Sequence, residues 1–141
     1  MNAAAITGAE DGLRASELAA SLTVKDLATS VAWYRDIVGF TIDRHHERDG
    51  RLLAVSLRAG QVRLLITQDD GAREGGLDRA KGEGFSLQLT TPQDIDTLAT
   101  RIQSRGGTLE SAPVSMPWGV RIFRMRDPDG FRFTISSPPS S

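Results

Sequence analysis

Asp127-Pro128-Asp129-Gly130, followed by Phe131-Arg132-Phe133-Thr134-Ile135-Ser136, is the stretch whose reading decides the fold. Two acidic residues around a proline and then a glycine make a tight turn, because proline presets φ and glycine supplies the positive φ that a returning strand needs. Beyond the turn, apolar and polar residues alternate with period two, the pattern of a strand with one face in a core and one against something wet. On the other side, Met116-Pro117-Trp118-Gly119 is a proline-flanked loop before a second strand, Val120 to Arg126. The corner therefore reads as the turn of a hairpin.

The chain of 141 residues is 39% apolar, enough for a real core in one ordinary domain or two very small ones. Its 17 basic and 18 acidic residues are well mixed and leave a net charge of −1, so no long-range field gathers nucleic acid or an anionic membrane. With no cysteine, thiolate nucleophiles, thiolate zinc sites and disulfides are excluded. The only histidines, His45 and His46, are adjacent. Residues 1–16 lack the basic start and apolar run of a secretory signal, and no run of about 18 apolar residues occurs. The expectation is a cytoplasmic protein with neither nucleic-acid nor membrane partners.

From residue 17 the chain has a repeating grammar. Residues 1–16 show no amphipathic period and read as a flexible arm. Glu17 to Lys25 reads as a strand, with Leu18, Ala20, Leu22 and Val24 on one face. Asp26 caps a helix whose stripe is Leu27, Val31, Tyr34 and Val38, and Gly39 ends it. Strands follow from Phe40, from Leu52 and from Val62, the first two joined at Asp49-Gly50, a short-hairpin signal. Gln68 to Gly82, rich in glycine and alanine among charges, reads as a linker. The grammar then restarts: a strand at Phe85 to Leu89, then Thr91-Pro92 as cap and first helical residue. A helix with Ile95, Leu98 and Ile102 turned inward stops at Gly106-Gly107, and three strands follow. Two βαβββ modules, 17–68 and 83–136, precede a tail at 137–141. A unit that small cannot bury its sheet alone, so the halves must pack together or across a dimer.

Leu22-Thr23-Val24-Lys25-Asp26-Leu27, Ser30-Val31-Ala32-Trp33-Tyr34, Val38-Gly39-Phe40, Gly106-Gly107, Pro117-Trp118-Gly119 and the Asp127–Gly130 corner together resemble the vicinal oxygen chelate superfamily. That group holds glyoxalases, extradiol dioxygenases and bleomycin-resistance proteins, and the likeness spans about residues 17–136. It implies an α+β fold in which two βαβββ modules form a curled, cup-like mixed sheet with helices outside, usually in a homodimer. It also implies a divalent metal held at four positions, which fall here at Ala19, Leu64, Gly84 and Thr134. Only the threonine hydroxyl among these touches a metal at all, and divalent cations prefer imidazole or carboxylate. No metal and no cofactor are therefore expected. His45 and His46 point to opposite faces of a regular strand and cannot share one ion; one of them, His46, is left as a candidate for the cup wall, against the plainer reading of two exposed residues.

Period-two parity gives the expected lining. Ala19, Ser21 and Thr23 face the cup if Leu22 and Val24 pack under the helix, together with Val62, Leu64 and Ile66, then Ser86 and Gln88, then Arg132 and Thr134. Hydroxyls, one amide, an aliphatic patch and a guanidinium suit a ligand with a flat or apolar body and polar edges. No general base or nucleophile falls on that wall. Trp118 either stacks on such a ligand or covers the end of the sheet. Trp33 reads as a packing residue, and Arg121 and Arg124 as partners of Asp127 or Asp129 unless one of them meets a ligand carboxylate. The sequence thus points to metal-independent binding or sequestration of an aromatic, antibiotic-like small molecule, with Trp118, Ser21, Thr23, Leu64, Ser86, Gln88, Arg132, Thr134 and His46 as ligand contacts. The alternative is a lyase, isomerase or dioxygenase of the same fold with an atypical or absent metal site, built for example from His46 with Glu47 or Glu83.

Overall fold

The computed structural model describes residues 12–139. Strand β1 (Ala20–Val24) is followed by helix α1 (Leu27–Ala32), which widens into a π-turn (Trp33–Val38). Strands β2 (Thr41–Arg48), β3 (Arg51–Ala59) and β4 (Val62–Gln68) complete the first module. The second repeats it with β5 (Leu87–Thr90), α2 (Ile95–Ser104), β6 (Leu109–Ser115), β7 (Arg121–Arg126) and β8 (Arg132–Ser136). The two mixed sheets run β1-β4-β3-β2 and β5-β8-β7-β6. In each, the first and last strands of the module pair in parallel and the rest antiparallel. The expected α+β repeat is therefore present, and residues 1–11 of the arm and 140–141 of the tail lie outside the described residues.

The Asp26 carboxylate accepts from the Thr29 N–H at 3.2 Å and starts α1. Gly39 at φ 108° ends the π-turn, and both Gly39 and Phe40 donate their N–H to the Tyr34 carbonyl. Thr91-Pro92 does not open the second helix. The Thr91 N–H bonds the Ser136 carbonyl at 2.9 Å and so prolongs the β5 ladder by one residue. The helix begins later, with Asp94 capping the Thr97 N–H at 2.9 Å.

Both modules feed one core. Leu22, Val55, Leu57 and Ile66 of the first sheet cluster with Phe123, Met125, Phe133 and Ile135 of the second, beneath Val31, Tyr34, Ala99 and Ile102 of the helical layer. Tyr34 is fully buried at the junction, its ring edge-on to Trp33, Phe40 and Phe133 at 4.8, 5.6 and 5.8 Å. The halves thus pack together within the chain.

Gly107 marks the closest approach. A Cβ there would lie 2.6 Å from Ile102 Cγ2 and 2.7 Å from Ile37 Cγ2, so the demand is for space between the two helical segments. Gly107→Ala is expected to destabilise the fold by about 1–3 kcal/mol, as overpacking of a filled core does. Urea unfolding measures it, and an unchanged midpoint would show that the modules separate there without cost.

Candidate functional site

In each sheet the face turned from the helices is open, and register fixes which side chains stand on it. In the first sheet Leu22 pairs with Ile66 and Ala20 with Leu64, so these four share the core face. Leu64 is 3% exposed and belongs to the core, which corrects its expected place on the cup wall, as it does for Ile66. The parallel pairing of β4 with β1 sets the parity, and Leu65 beside Ser21 and Thr67 beside Thr23 occupy the open face instead. His46 stands on that face in the row Thr23, Thr67, Ala54, His46, and its Nε2 lies 2.8 Å from Ser56 Oγ. His45 is in the row of Val55 on the opposite face.

In the second sheet the open face forms a cavity of about 590 Å³. Ser86, Gln88, Trp118, Arg132 and Thr134 all line it, so five of the nine expected contacts come together. Ser21, Thr23 and His46 lie on the other sheet. Gln88, Thr134 and Arg124 occupy one row across β5, β8 and β7. The apolar end is Met116, Val120 and Ile122, with Trp118 at the rim, 67% exposed. The loop carrying Trp118 is closed by the Met116 N–H on the Val120 carbonyl at 2.7 Å and the Gly119 N–H on the Met116 carbonyl at 3.0 Å. A second cavity, about 680 Å³, lies at the seam of the modules near Phe40, Leu98 and Ile102; none of the nine expected contacts lines it, but Val62, expected on the cup wall with Leu64 and Ile66, does.

One charged lining residue, Glu110, was not foreseen, and another, Arg124, was expected first as a partner of Asp127 or Asp129. Glu110 on β6 is ion-paired with Arg126 and, at 2.9 Å, with Arg132. The Arg126 guanidinium first, then Arg132, holds its carboxyl below the usual carboxylate range, which makes it a poor general base. Arg124 pairs with neither Asp127 nor Asp129. Asp127 accepts from the Tyr34 hydroxyl at 2.7 Å and from the N–H groups of Asp129 and Phe131. Asp129 accepts from the Lys25 N–H and pairs with Lys81. Arg121 turns away to a bidentate pair with Asp96 at the start of α2. The signal that finds Arg124 is the corner itself: its register pairs Arg126 with Arg132 and therefore Arg124 with Thr134.

The four positions that the resemblance assigns to a metal do not converge on a donor set. Ala19 and Gly84 precede their strands, Leu64 is in the core, and Thr134 stands between an amide and a guanidinium. Among the described residues no three His, Asp or Glu side chains gather as a metal site. With Glu110 held by two arginines and Arg124 beside it, these residues do not fit a divalent cation.

No curated protein matches this chain. Among solved structures it is similar to a member of the glyoxalase/bleomycin resistance protein/dioxygenase superfamily from Sphaerobacter thermophilus, at 24% identity and a TM-score of 0.72 over 89% of this chain and 100% of that one. TioX from Micromonospora shares 17% identity, with a TM-score of 0.68 over 89% and 98% of the two chains. A glyoxalase/bleomycin resistance protein/dioxygenase from Nocardioides shares 19%, with a TM-score of 0.65 over 97% and 93%. At these identities the likenesses show the shared fold. The family model for the Glyoxalase/Bleomycin resistance protein/Dioxygenase superfamily matches residues 17–135, nearly the whole two-module repeat, and the chain belongs to that superfamily.

Proposed function

We propose that this chain is a metal-independent small-molecule binding protein that sequesters a flat, antibiotic-like compound. The observation that carries the reading is the second-sheet cavity, where an exposed indole overhangs an apolar wall and a floor of hydroxyl, amide and guanidinium groups. Such a site binds by stacking and a few directed hydrogen bonds. In this reading a second copy completes the cup, because the open faces carrying Ser21, Thr23 and Leu65 on one sheet and Gln88 and Thr134 on the other are left for a partner to cover. A cytosolic location, with neither nucleic acid nor membrane as partner, belongs to the same reading; among the described residues no helix is long and apolar enough to cross a membrane. The enzymatic alternative draws no support from His46, which is engaged by Ser56 on the first sheet.

Two titrations test the proposal. Zinc, nickel and iron(II) are expected to show no stoichiometric tight binding, and one ion per cup would overturn metal independence. Flat drug-like compounds are expected to quench tryptophan fluorescence, with Trp118→Ala weakening their binding by about fivefold. Quenching that survives Trp118→Ala with unchanged affinity would place the ligand elsewhere.

A further inference from the structure

The charges of the second-sheet cavity are unequal. Its lining carries the guanidinium groups of Arg124 and Arg132 and a single carboxylate, Glu110. Glu110 is already shared by Arg132 and by Arg126 just outside the lining. Among the described residues no carboxylate pairs with Arg124, although it stands in the middle of β7 and is only partly exposed. A half-buried guanidinium gives up part of its hydration without a counter-charge, so an anion entering the cavity meets a donor that is already desolvated.

Its neighbours have matching chemistry. Arg124 is in register with Thr134, and Thr134 with Gln88, so guanidinium, hydroxyl and carboxamide stand side by side across three strands. Adjacent strands are about 4.8 Å apart, which makes the row about 10 Å long. All three groups can donate hydrogen bonds, and the guanidinium can do nothing else. The complement of such a row is a group that only accepts. Ile122 precedes Arg124 by two residues on the same face, about 7 Å along the strand, and leads toward Val120 and Trp118. The donor row and the apolar end are thus separated by the span of an aromatic ring bearing one acidic substituent.

Resting on the proposal that this cavity binds a small molecule, we infer that its ligand class is a planar aromatic carboxylate, with the carboxylate on Arg124, Thr134 and Gln88 and the ring against Ile122, Val120 and Trp118. Arg124 is the specificity-determining residue, and the arginine pair on Glu110 holds the neighbouring wall. The Coulomb part of the preference weakens as salt is added, because the cavity is open to solvent.

Calorimetric titration with 1-naphthoate and with the neutral 1-naphthalenemethanol tests this on the intact protein. Naphthoate is expected to bind about tenfold or more tightly than the alcohol, the ratio expected of one charge-assisted contact. Arg124→Met is expected to bring the ratio close to one by weakening naphthoate about tenfold and the alcohol, whose hydroxyl accepts at most one neutral hydrogen bond, far less, and Arg124→Lys to restore part of the ratio. An unchanged thermal unfolding midpoint shows that the variant is folded. Equal binding of both probes by the unsubstituted protein would overturn the carboxylate preference and leave the small-molecule reading standing. Binding of neither would overturn both, and a preference that survives Arg124→Met would move the anion site to another residue.

Discussion

Lys81→Met is expected to destabilise the protein by about 3 kcal/mol, the loss that follows when one partner of a buried ion pair is removed. The Lys81 side chain is 6% exposed, and its Nζ lies 2.9 Å from Asp69 and 3.2 Å from Asp129, whose side chains are 2% and 7% exposed. Methionine keeps the length of the stem and deletes the charge. Asp69 would retain Arg79, and Asp129 would retain the Lys25 N–H, but each buried carboxylate would lose the cation they share. The lysine ties the connection between modules to the Asp127–Gly130 corner, and its two carboxylate partners are themselves bonded to the end of β1, Asp129 by the Lys25 N–H and Asp69 through its own N–H on the Val24 carbonyl. Its removal is therefore expected to lower the Tm by about 10 °C, beyond what a surface pair gives.

The pH dependence has a definite sign. The Gly71 N–H first, then Lys81, holds the Asp69 carboxyl down at about 2. A depressed value means that its contribution is present above the unfolded carboxylate value, near 4, and is lost as pH falls toward about 2. The two proteins are expected to differ most at neutral pH and to converge in that acid window. Thermal unfolding of both between pH 7 and pH 2.5 measures it, and equal Tm values at neutral pH would show that the cluster contributes nothing to stability.

This connection is also where composition misled. Gln68 to Gly82 reads as a linker because glycine, alanine and charge dominate it, yet Gln68 and Asp69 are bonded to Lys25, Leu27 and Val24, and the side chain of Lys81 is turned inward. A composition rule counts residue types and does not see that two acids and a lysine can satisfy one another inside the fold. The features that were legible are those encoded locally. The corner closes as expected, with the Gly130 N–H on the Asp127 carbonyl and the Asp127 N–H on the Phe131 carbonyl. The repeat, the Asp26 cap, Gly39 and the burial of Tyr34 also follow from short-range spacing. Which face Leu64 takes was not legible, because Leu64, Leu65 and Ile66 are consecutive apolar residues and only the parallel pairing with β1 decides between the two parities. Glu110 was missed for a related reason: β6 has bulges on both sides of Ser111, so alternation along it does not give its face.

The corner does more than turn the chain, and Tyr34→Phe is expected to show it with a loss of about 2 kcal/mol at neutral pH, the range for a buried hydrogen bond to a charged group. The Tyr34 hydroxyl donates to Asp127 Oδ2 at 2.7 Å across the module junction, while Asp127 Oδ1 accepts from the Asp129 and Phe131 N–H groups. Phenylalanine keeps the ring in its contacts with Trp33, Phe40 and Phe133 and removes only the donor. Burial, opposed by these hydrogen bonds, holds the Asp127 carboxyl above its ordinary value, and burial likewise keeps the Tyr34 phenol protonated far above its own. For a carboxyl raised in the folded state, the favourable contribution is present below the unfolded value and disappears as pH rises through the folded one. Taking away the tyrosine donor raises Asp127 further, which enlarges the penalty at neutral pH and leaves it small once the group is protonated in both proteins. The gap between Tyr34→Phe and the unsubstituted chain is therefore expected to widen with pH from about 4 to 7. Between Asp127→Asn and its double variant with Tyr34→Phe that widening is expected to be nearly lost, because the one carboxylate that still acts on the Tyr34 phenol, Asp129, does so through space and accepts no hydrogen bond from it. A gap that stays constant across this range would mean that the carboxylate charge at the corner does not depend on the first module's helix, and that the two modules are joined there by ring packing alone.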